Sequence, residues 1–317
     1  MRRKIIKQGH NTLTVTLPKK WCDKENLNGG DELNIEEEGA KLVLSPPKNV
    51  KKGSTKSIDI SDLDRSTVLF VIREAYRRGY DELNLHFENQ MTPRFRDGQL
   101  YKTISFIHYE INNLIGYEVI SQKENSCVVK DISEGTEKEF EPILRRVFLL
   151  TLDTFNDFIT GIKEKDADLM ATIEEKHNSI TKFVSYCMRL LSKNIYNYSH
   201  ESNLELYHVL ASMDTVADLM KYTSRDIVEE KIIFSSKSVS LVNQIGKLIK
   251  IFYELFFDYK HSKLVDFNKE RYVLLKAIKK DSKQLPTDEA IIVSKLSSII
   301  EILNDLVKSK LSLAIGE

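Results

Sequence analysis

Glycine and proline are distributed very unevenly along this chain of 317 residues. Nine of the 12 glycines precede residue 140, and five of the six prolines precede residue 143. Helix interiors reject both residue types, whereas turns and left-handed backbone positions need them. The sequence therefore predicts a mainly helical second half, preceded by a region of short elements and turns.

The front region divides again at a segment rich in Pro, Gly and Lys, from Ser45 to Ser54, that has little to bury and is typical of a linker. We predict a multidomain α+β protein. Its predicted divisions are a small β domain at 1–46, a linker at 47–56, a small α/β unit at 57–140, and two three-helix bundles at 141–230 and 231–317.

The first 46 residues have the pattern of four short strands and one short helix. Residues 12–17 alternate polar and apolar side chains, with Lys4–Lys7 as the partner strand, and Pro18 is expected to be the first residue of a helix that ends near Lys24. Residues 31–35 and 41–44 form a hairpin pattern. A domain of this size buries too little apolar surface to be stable alone, so we expect it to dimerise.

This order of elements resembles the swapped-hairpin DNA-binding domain of the AbrB, MazE and SpoVT family. The residues that carry the resemblance are Gly9, the run Thr14–Trp21, and Gly30-Asp31 with Leu33 and Ile35. The resemblance implies a homodimer that binds double-stranded DNA through the first strand, the Gly9 loop and the turn after Pro18.

Charge supports the same interpretation. Lys plus Arg and Asp plus Glu both number 47, and this zero net charge excludes a protein that coats nucleic acid through its global charge. Residues 1–20, however, hold six basic side chains and no acid, whereas residues 21–50 hold three basic and seven acidic ones. Solvated surface charge is the alternative interpretation of the basic segment. The predicted DNA-binding residues are Arg2, Arg3, Lys4, Lys7, His10, Asn11, Lys19 and Lys20.

The middle segment alternates strand and helix patterns. Strands are predicted at 57–60, 83–87, 117–120 and 127–130, with helices from Asp64 to Arg78 and at 100–114, which indicates a four-stranded α/β unit. The segment contains no phosphate-binding loop, dinucleotide fingerprint or nucleophile elbow. We therefore do not expect an enzyme.

The second half shows six helical patterns in two sets of three, which indicates an internal repeat. The predicted helices begin near Ile143, at Asp168, and near residues 204, 234, 262 and 287. The third helix of each set carries an acidic pair four residues apart, Asp214 with Asp218 and Glu301 with Asp305. Both pairs lie off the apolar stripe, so we expect surface sites.

Here the chain resembles the PhoU family of phosphate-uptake regulators, whose E/D-x-x-x-D motifs bind metal clusters. The resemblance implies iron, zinc or manganese at Asp214, Asp218, Glu301 and Asp305, because carboxylates four apart share a helix face. The chain departs from the family where His177 and Thr181 occupy expected acidic positions, although Asp266 and Glu270 keep the spacing. Two solvated like-charge pairs are the alternative.

Together the patterns predict a cytoplasmic, homodimeric transcription regulator of phosphate uptake or a related response. Its helical part would sense metal or a partner such as a phosphate transporter or a sensor kinase, and no run is long and apolar enough for membrane insertion. Three dispersed cysteines indicate a reduced chain. The alternative is an adaptor that docks on such a transporter or kinase and uses the small domain only to dimerise. A weaker third hypothesis is metal-assisted hydrolysis of a phosphoester at the acidic pairs.

Overall fold

The structure is a computed structural model that describes residues 2–9, 11–38, 41–45, 53–133, 135–195 and 200–316. The chain forms two compact units, Met1–Ser54 and Thr55–Glu317. No helix in these described ranges is long and apolar enough to cross a membrane.

The first unit consists of two hairpins and a short helix. Strands β1 (Ile6–Gln8) and β2 (Thr12–Thr14) pair antiparallel, and Gly9 between them has a φ of +71°, a conformation that favours glycine. Helix α1 (Lys19–Lys24) follows, and strands β3 (Asn34–Glu38) and β4 (Lys41–Ser45) pair antiparallel. Pro18 caps α1 instead of being its first residue, and its carbonyl accepts the amide of Cys22 at 3.1 Å.

The second unit begins with an α/β layer. Strand β5 (Thr55–Asp59) leads through helix α2 (Arg65–Arg77) to strand β6 (Glu82–His86), which is parallel to β5 because a helix makes the crossover. The hairpin β7 (Met91–Arg94) and β8 (Gln99–Lys102) comes next, then helix α3 (Thr103–Ile111). Strands β9 (Tyr117–Lys123) and β10 (Ser126–Asp131) complete a sheet of order β5-β6-β10-β9.

Local chemistry fixes the ends of these elements. The Asp64 carboxylate accepts the Ser66 and Thr67 amides at 2.9 and 3.3 Å, which caps α2 as its sequence predicts. Gly116, between α3 and β9, has a φ of +85°. A Cβ there would lie 2.1 Å from Ser133 Oγ and 2.6 Å from Asp131 Oδ1, so this turn accepts only glycine without adjustment.

Six long helices form the rest of the unit, and the predicted mainly helical half is confirmed. They are α4 (Phe140–Glu164), α5 (Ala167–Ser192), α6 (His200–Glu229), α7 (Ser236–Phe257), α8 (His261–Asp281) and α9 (Thr287–Gly316). Helices α4, α5 and α6 pack against one another, and α7 packs against α8 and α9. The two sets also share an interface, since α9 packs along α6 and α7 along α4.

Arg189 of α5 joins the helices to the sheet. Its side chain is buried, and it donates to the Tyr76 carbonyl at 2.8 Å and to Asp131 Oδ2 at 2.6 Å. Its guanidinium also stacks on the rings of Tyr76 and Tyr117, at 4.8 and 5.2 Å from their centroids. The α/β layer and the helices therefore form one compact unit, and their division at 140 and 230 stays a prediction.

The three cysteines differ in accessibility. Cys127 lies on the buried face of β10 and Cys187 on the buried face of α5, while Cys22 of α1 is half-buried. Burial raises the pKa of the Cys127 thiol to about 11 and raises that of Cys187 as well.

Candidate functional site

The predicted DNA-binding residues occupy one exposed stretch of the first unit. Arg2, Arg3 and Lys4 precede β1, Lys7 lies on it, Asn11 follows the Gly9 turn, and Lys19 and Lys20 begin α1. His10 lies outside the described residues. All of those described are exposed, and Lys19 forms an exposed ion pair with Asp23 at 2.9 Å, a contact that contributes little.

Apolar side chains of this unit are exposed as well. Strands β1 and β2 expose Ile6 and Leu13, and the second hairpin exposes Ile35 and Leu42, each with more than half its surface accessible. No residue from 2 to 45 whose burial the structure describes is buried when the chain is considered alone. A chain segment with this much open apolar surface needs a partner to cover it.

The first acidic pair lies where α2, α5 and α6 meet. Asp214 accepts from Arg77 Nη2 and from Thr181 Oγ1, both at 2.7 Å, and only 16% of its side chain is exposed. Arg77 is held in turn by Ser185 and Glu74. The expectation of a surface site is thus wrong for Asp214, because α2 supplies a guanidinium that the sequence pattern did not indicate.

Asp218 has a different set of neighbours. Its Oδ1 lies 2.9 Å from His177 Nε2 and also accepts from Lys221. Burial alone would raise the pKa of Asp218, but the hydrogen bonds from His177 and Lys221 outweigh it and lower the pKa to about 2. His177 and Thr181 therefore do face the acidic pair, as the helix register predicts, but they bring a ring nitrogen and a hydroxyl in place of carboxylates.

The second acidic pair is exposed and also neutralised. Both oxygens of Glu301 accept from Arg271 Nη2 of α8, at 2.9 and 2.7 Å, and Asp305 accepts from Lys308 at 2.6 Å. Asp266 and Glu270 are exposed on α8. This second pair is a surface feature, as expected.

Each of the four carboxylates thus has a Lys or Arg partner. Within the described part of the chain, no three His, Cys, Asp or Glu side chains are grouped as a metal site requires. A divalent cation would also meet repulsion from the guanidinium and ammonium groups already there. The donor set does not fit iron, zinc or manganese, and metal at these positions stays a prediction that elemental analysis of the purified chain can test.

A cationic pocket, which the sequence did not indicate as a site, lies close to the first acidic pair. It has a volume of about 240 Å³ and is bounded by α2, α5, α6 and the segment that follows β7. Six basic side chains and one carboxylate line it, together with His177. One sequence feature could have indicated this pocket. Six of the 13 arginines lie between residues 65 and 96.

Comparison with known proteins first defines the class of the N-terminal unit. Residues 6–52 match the profile of a family described as "Antidote-toxin recognition MazE, bacterial antitoxin". The resemblance of this unit to the AbrB, MazE and SpoVT family is therefore confirmed.

A solved structure is similar to part of the chain. This is the phosphate transport system regulatory protein PhoU from Streptococcus pneumoniae, with 14% identity and a TM-score of 0.47. The match covers 57% of the present chain and 95% of the PhoU chain. No curated protein sequence matches the chain significantly.

Proposed function

We propose that the protein is a cytoplasmic, homodimeric transcription regulator that binds double-stranded DNA. The observation that carries the proposal is the match of residues 6–52 to the MazE family, together with a basic segment that holds no acid between residues 1 and 20. Two copies of this segment on a two-fold dimer would suit a pseudo-palindromic site. Exposure of all its described basic side chains leaves them available to phosphates.

The regulated response in this proposal is phosphate uptake or a related one. This part rests on the resemblance of the helical repeat, with its paired acidic positions, to phosphate-uptake regulators. In this proposal, the helical part binds a ligand or a partner such as a phosphate transporter or sensor kinase, and that binding controls DNA binding by the first unit. No enzymatic step is part of the proposal.

Salt dependence of DNA affinity tests the proposal. The full chain is titrated with a duplex from its own upstream region at several salt concentrations. Each lysine that contacts a phosphate contributes about one unit to the slope of log affinity against log salt. We expect Lys7→Ala with Lys19→Ala to lower both the affinity and the slope.

A matched control replaces two exposed lysines of the second unit, Lys123 and Lys276, by alanine. This control keeps the same net charge as the test variant, so it should leave the slope unchanged if the basic segment is the contact surface. Absence of binding at low salt would contradict the proposal and favour the adaptor.

A further inference from the structure

The cationic pocket between the α/β layer and the helical bundle is built from distant parts of the chain. Helix α2 supplies Arg65 and Arg73, the end of β7 and the turn after it supply Arg94 and Arg96, and α6 supplies Lys221 and Arg225. Among the described residues that line it, Glu174 is the single carboxylate. Convergence of six cations on one concave site is the arrangement that binds anions.

The carboxylates that compensate these cations lie mostly outside the pocket lining. Glu110, fully buried behind α2, accepts from Arg73 Nε and Nη2 at 2.7 and 3.0 Å. This bidentate contact fixes the Arg73 guanidinium and leaves its Nη1 for a ligand. Glu174 likewise holds Arg225, whose two bonds outweigh the effect of burial and lower the pKa of Glu174.

Lys221 is held by Asp218, whereas the other three cations of the pocket have weak partners or none among the described residues. Arg94 lies 3.4 Å from Asp97, and the pair of Arg96 with Glu229 is largely exposed. Such exposed pairs contribute about 0–1 kcal/mol, so an incoming anion can replace the carboxylate at little cost. Arg65 has no carboxylate within ion-pair distance in the described part of the chain and instead stacks on Phe106 and Tyr109.

Aromatic rings border the same pocket. Tyr109, Tyr222, Phe70 and Phe95 line it and are between 39% and 78% exposed. Large exposed rings beside a group of cations offer stacking surfaces for a planar, electron-rich ring. A bare inorganic anion would make no use of them.

We propose that this pocket binds a nucleotide, with its phosphate on the arginines and its base stacked on the exposed rings. A volume of about 240 Å³ is just below the usual range for small-molecule sites, which favours a mononucleotide over a dinucleotide. The concave shape favours a small ligand over a nucleic acid strand. Binding of a nucleotide in this pocket does not require that the first unit bind DNA.

The test is isothermal titration of the full chain, at physiological salt, with AMP, ADP, GMP, adenosine and inorganic phosphate. Nucleotides should bind, and adenosine and inorganic phosphate should each bind at least about tenfold more weakly, because each makes only half of the contacts. Arg65→Gln and Arg225→Gln should each weaken nucleotide binding about tenfold. Tyr222→Ala should weaken nucleotide binding and leave phosphate binding unchanged.

The chain offers a matched control on the opposite bundle. Arg271 pairs with Glu301 and lies 5.7 Å from the Tyr272 ring, as Arg225 pairs with Glu174 and lies 5.7 Å from the Tyr222 ring. Arg271→Gln and Tyr272→Ala should therefore leave nucleotide affinity unchanged. Thermal denaturation of every variant checks that each is folded.

Three outcomes would overturn the proposal. The first is no binding of any nucleotide at millimolar concentration. The second is equal affinity for inorganic phosphate and AMP with no effect of Tyr222→Ala, which would make the site an inorganic-anion site. The third is loss of binding in the Arg271 control to the same extent as in the Arg225 variant.

Discussion

Buried and half-buried arginines connect parts of this chain that are distant in sequence. Arg77 links α2 to Asp214 of α6, Arg73 links α2 to Glu110 of α3, and Arg189 links α5 to Asp131 of β10. Helical periodicity predicts that Asp214 and Asp218 share a helix face, and the structure agrees. It cannot predict which cation reaches that face from another element, because such contacts depend on tertiary packing.

Arg189 provides the sharpest test at this scale. Arg189→Met keeps the apolar length of the side chain but leaves Asp131, 5% exposed, without its main partner. We expect a loss of about 3 kcal/mol in the free energy of unfolding, measured by urea denaturation, since the buried carboxylate would keep only the more distant Lys193 ammonium, at 3.7 Å, as a cationic partner among the described residues.

Arg145→Met is the matched control, because the exposed Arg145 stacks on Phe257 at 4.3 Å but has no buried carboxylate to neutralise. The Arg145→Met variant should lose less than about 1 kcal/mol in the free energy of unfolding. Adding Asp131→Asn to the Arg189 variant should recover part of the stability. Equal small losses in both single variants would refute the explanation.

Among the elements, those with a long or strongly alternating pattern were predictable. All six long helices, the four strands of the mixed sheet and the two N-terminal hairpins appear near their predicted bounds. The exception is the hairpin of β7 and β8, whose four-residue strands are too short for a period and include Pro93, which argues against a strand.

That missed hairpin also explains why the pocket was not predicted. The end of β7 and the turn after it carry Arg94, Phe95 and Arg96 into the pocket. Without the hairpin, these residues have no assigned position relative to α2 or α6. Separate arginine side chains become a site only when a turn and a helical bundle bring them together.

The turn between α3 and β9 gives a prediction at the scale of elements. Gly116→Ala combines an unfavourable positive φ with a collision against Ser133 and Asp131. We expect this variant to lose about 3 kcal/mol in the free energy of unfolding, as the sum of backbone strain and overpacking.

Gly98→Ala separates these two effects. Gly98 has a φ of +69°, but a Cβ there would meet no atom within 4 Å. Gly98→Ala should therefore lower the free energy of unfolding by about 1 kcal/mol, from backbone strain alone. If thermal denaturation gives equal losses for both alanine variants, the collision at Gly116 does not contribute.

On the scale of the whole molecule, the two units differ in how they are stabilised. The second unit has a continuous buried core, whereas no residue from 2 to 45 whose burial the structure describes is buried. We therefore expect the full chain to be a dimer in solution, with twice the single-chain mass of 36.7 kDa by light scattering.

Leu13→Asp, on an exposed position of β2, should shift the mass toward that of one chain, because a charge cannot be buried unpaired in an apolar interface. Leu204→Asp, at a similarly exposed apolar position on α6, is the control and should leave the dimer intact. A single-chain mass for the unmodified protein at tens of micromolar would contradict the prediction.

The unequal burial of the three cysteines makes the protein convenient to label. The thiols of Cys127 and Cys187 are enclosed and carry raised pKa values, so a maleimide dye at neutral pH should attach at Cys22 alone. Each chain would then carry one fluorophore, placed on the first unit without any engineering. Energy transfer between donor-labelled and acceptor-labelled chains would report subunit exchange directly, in the presence or absence of DNA.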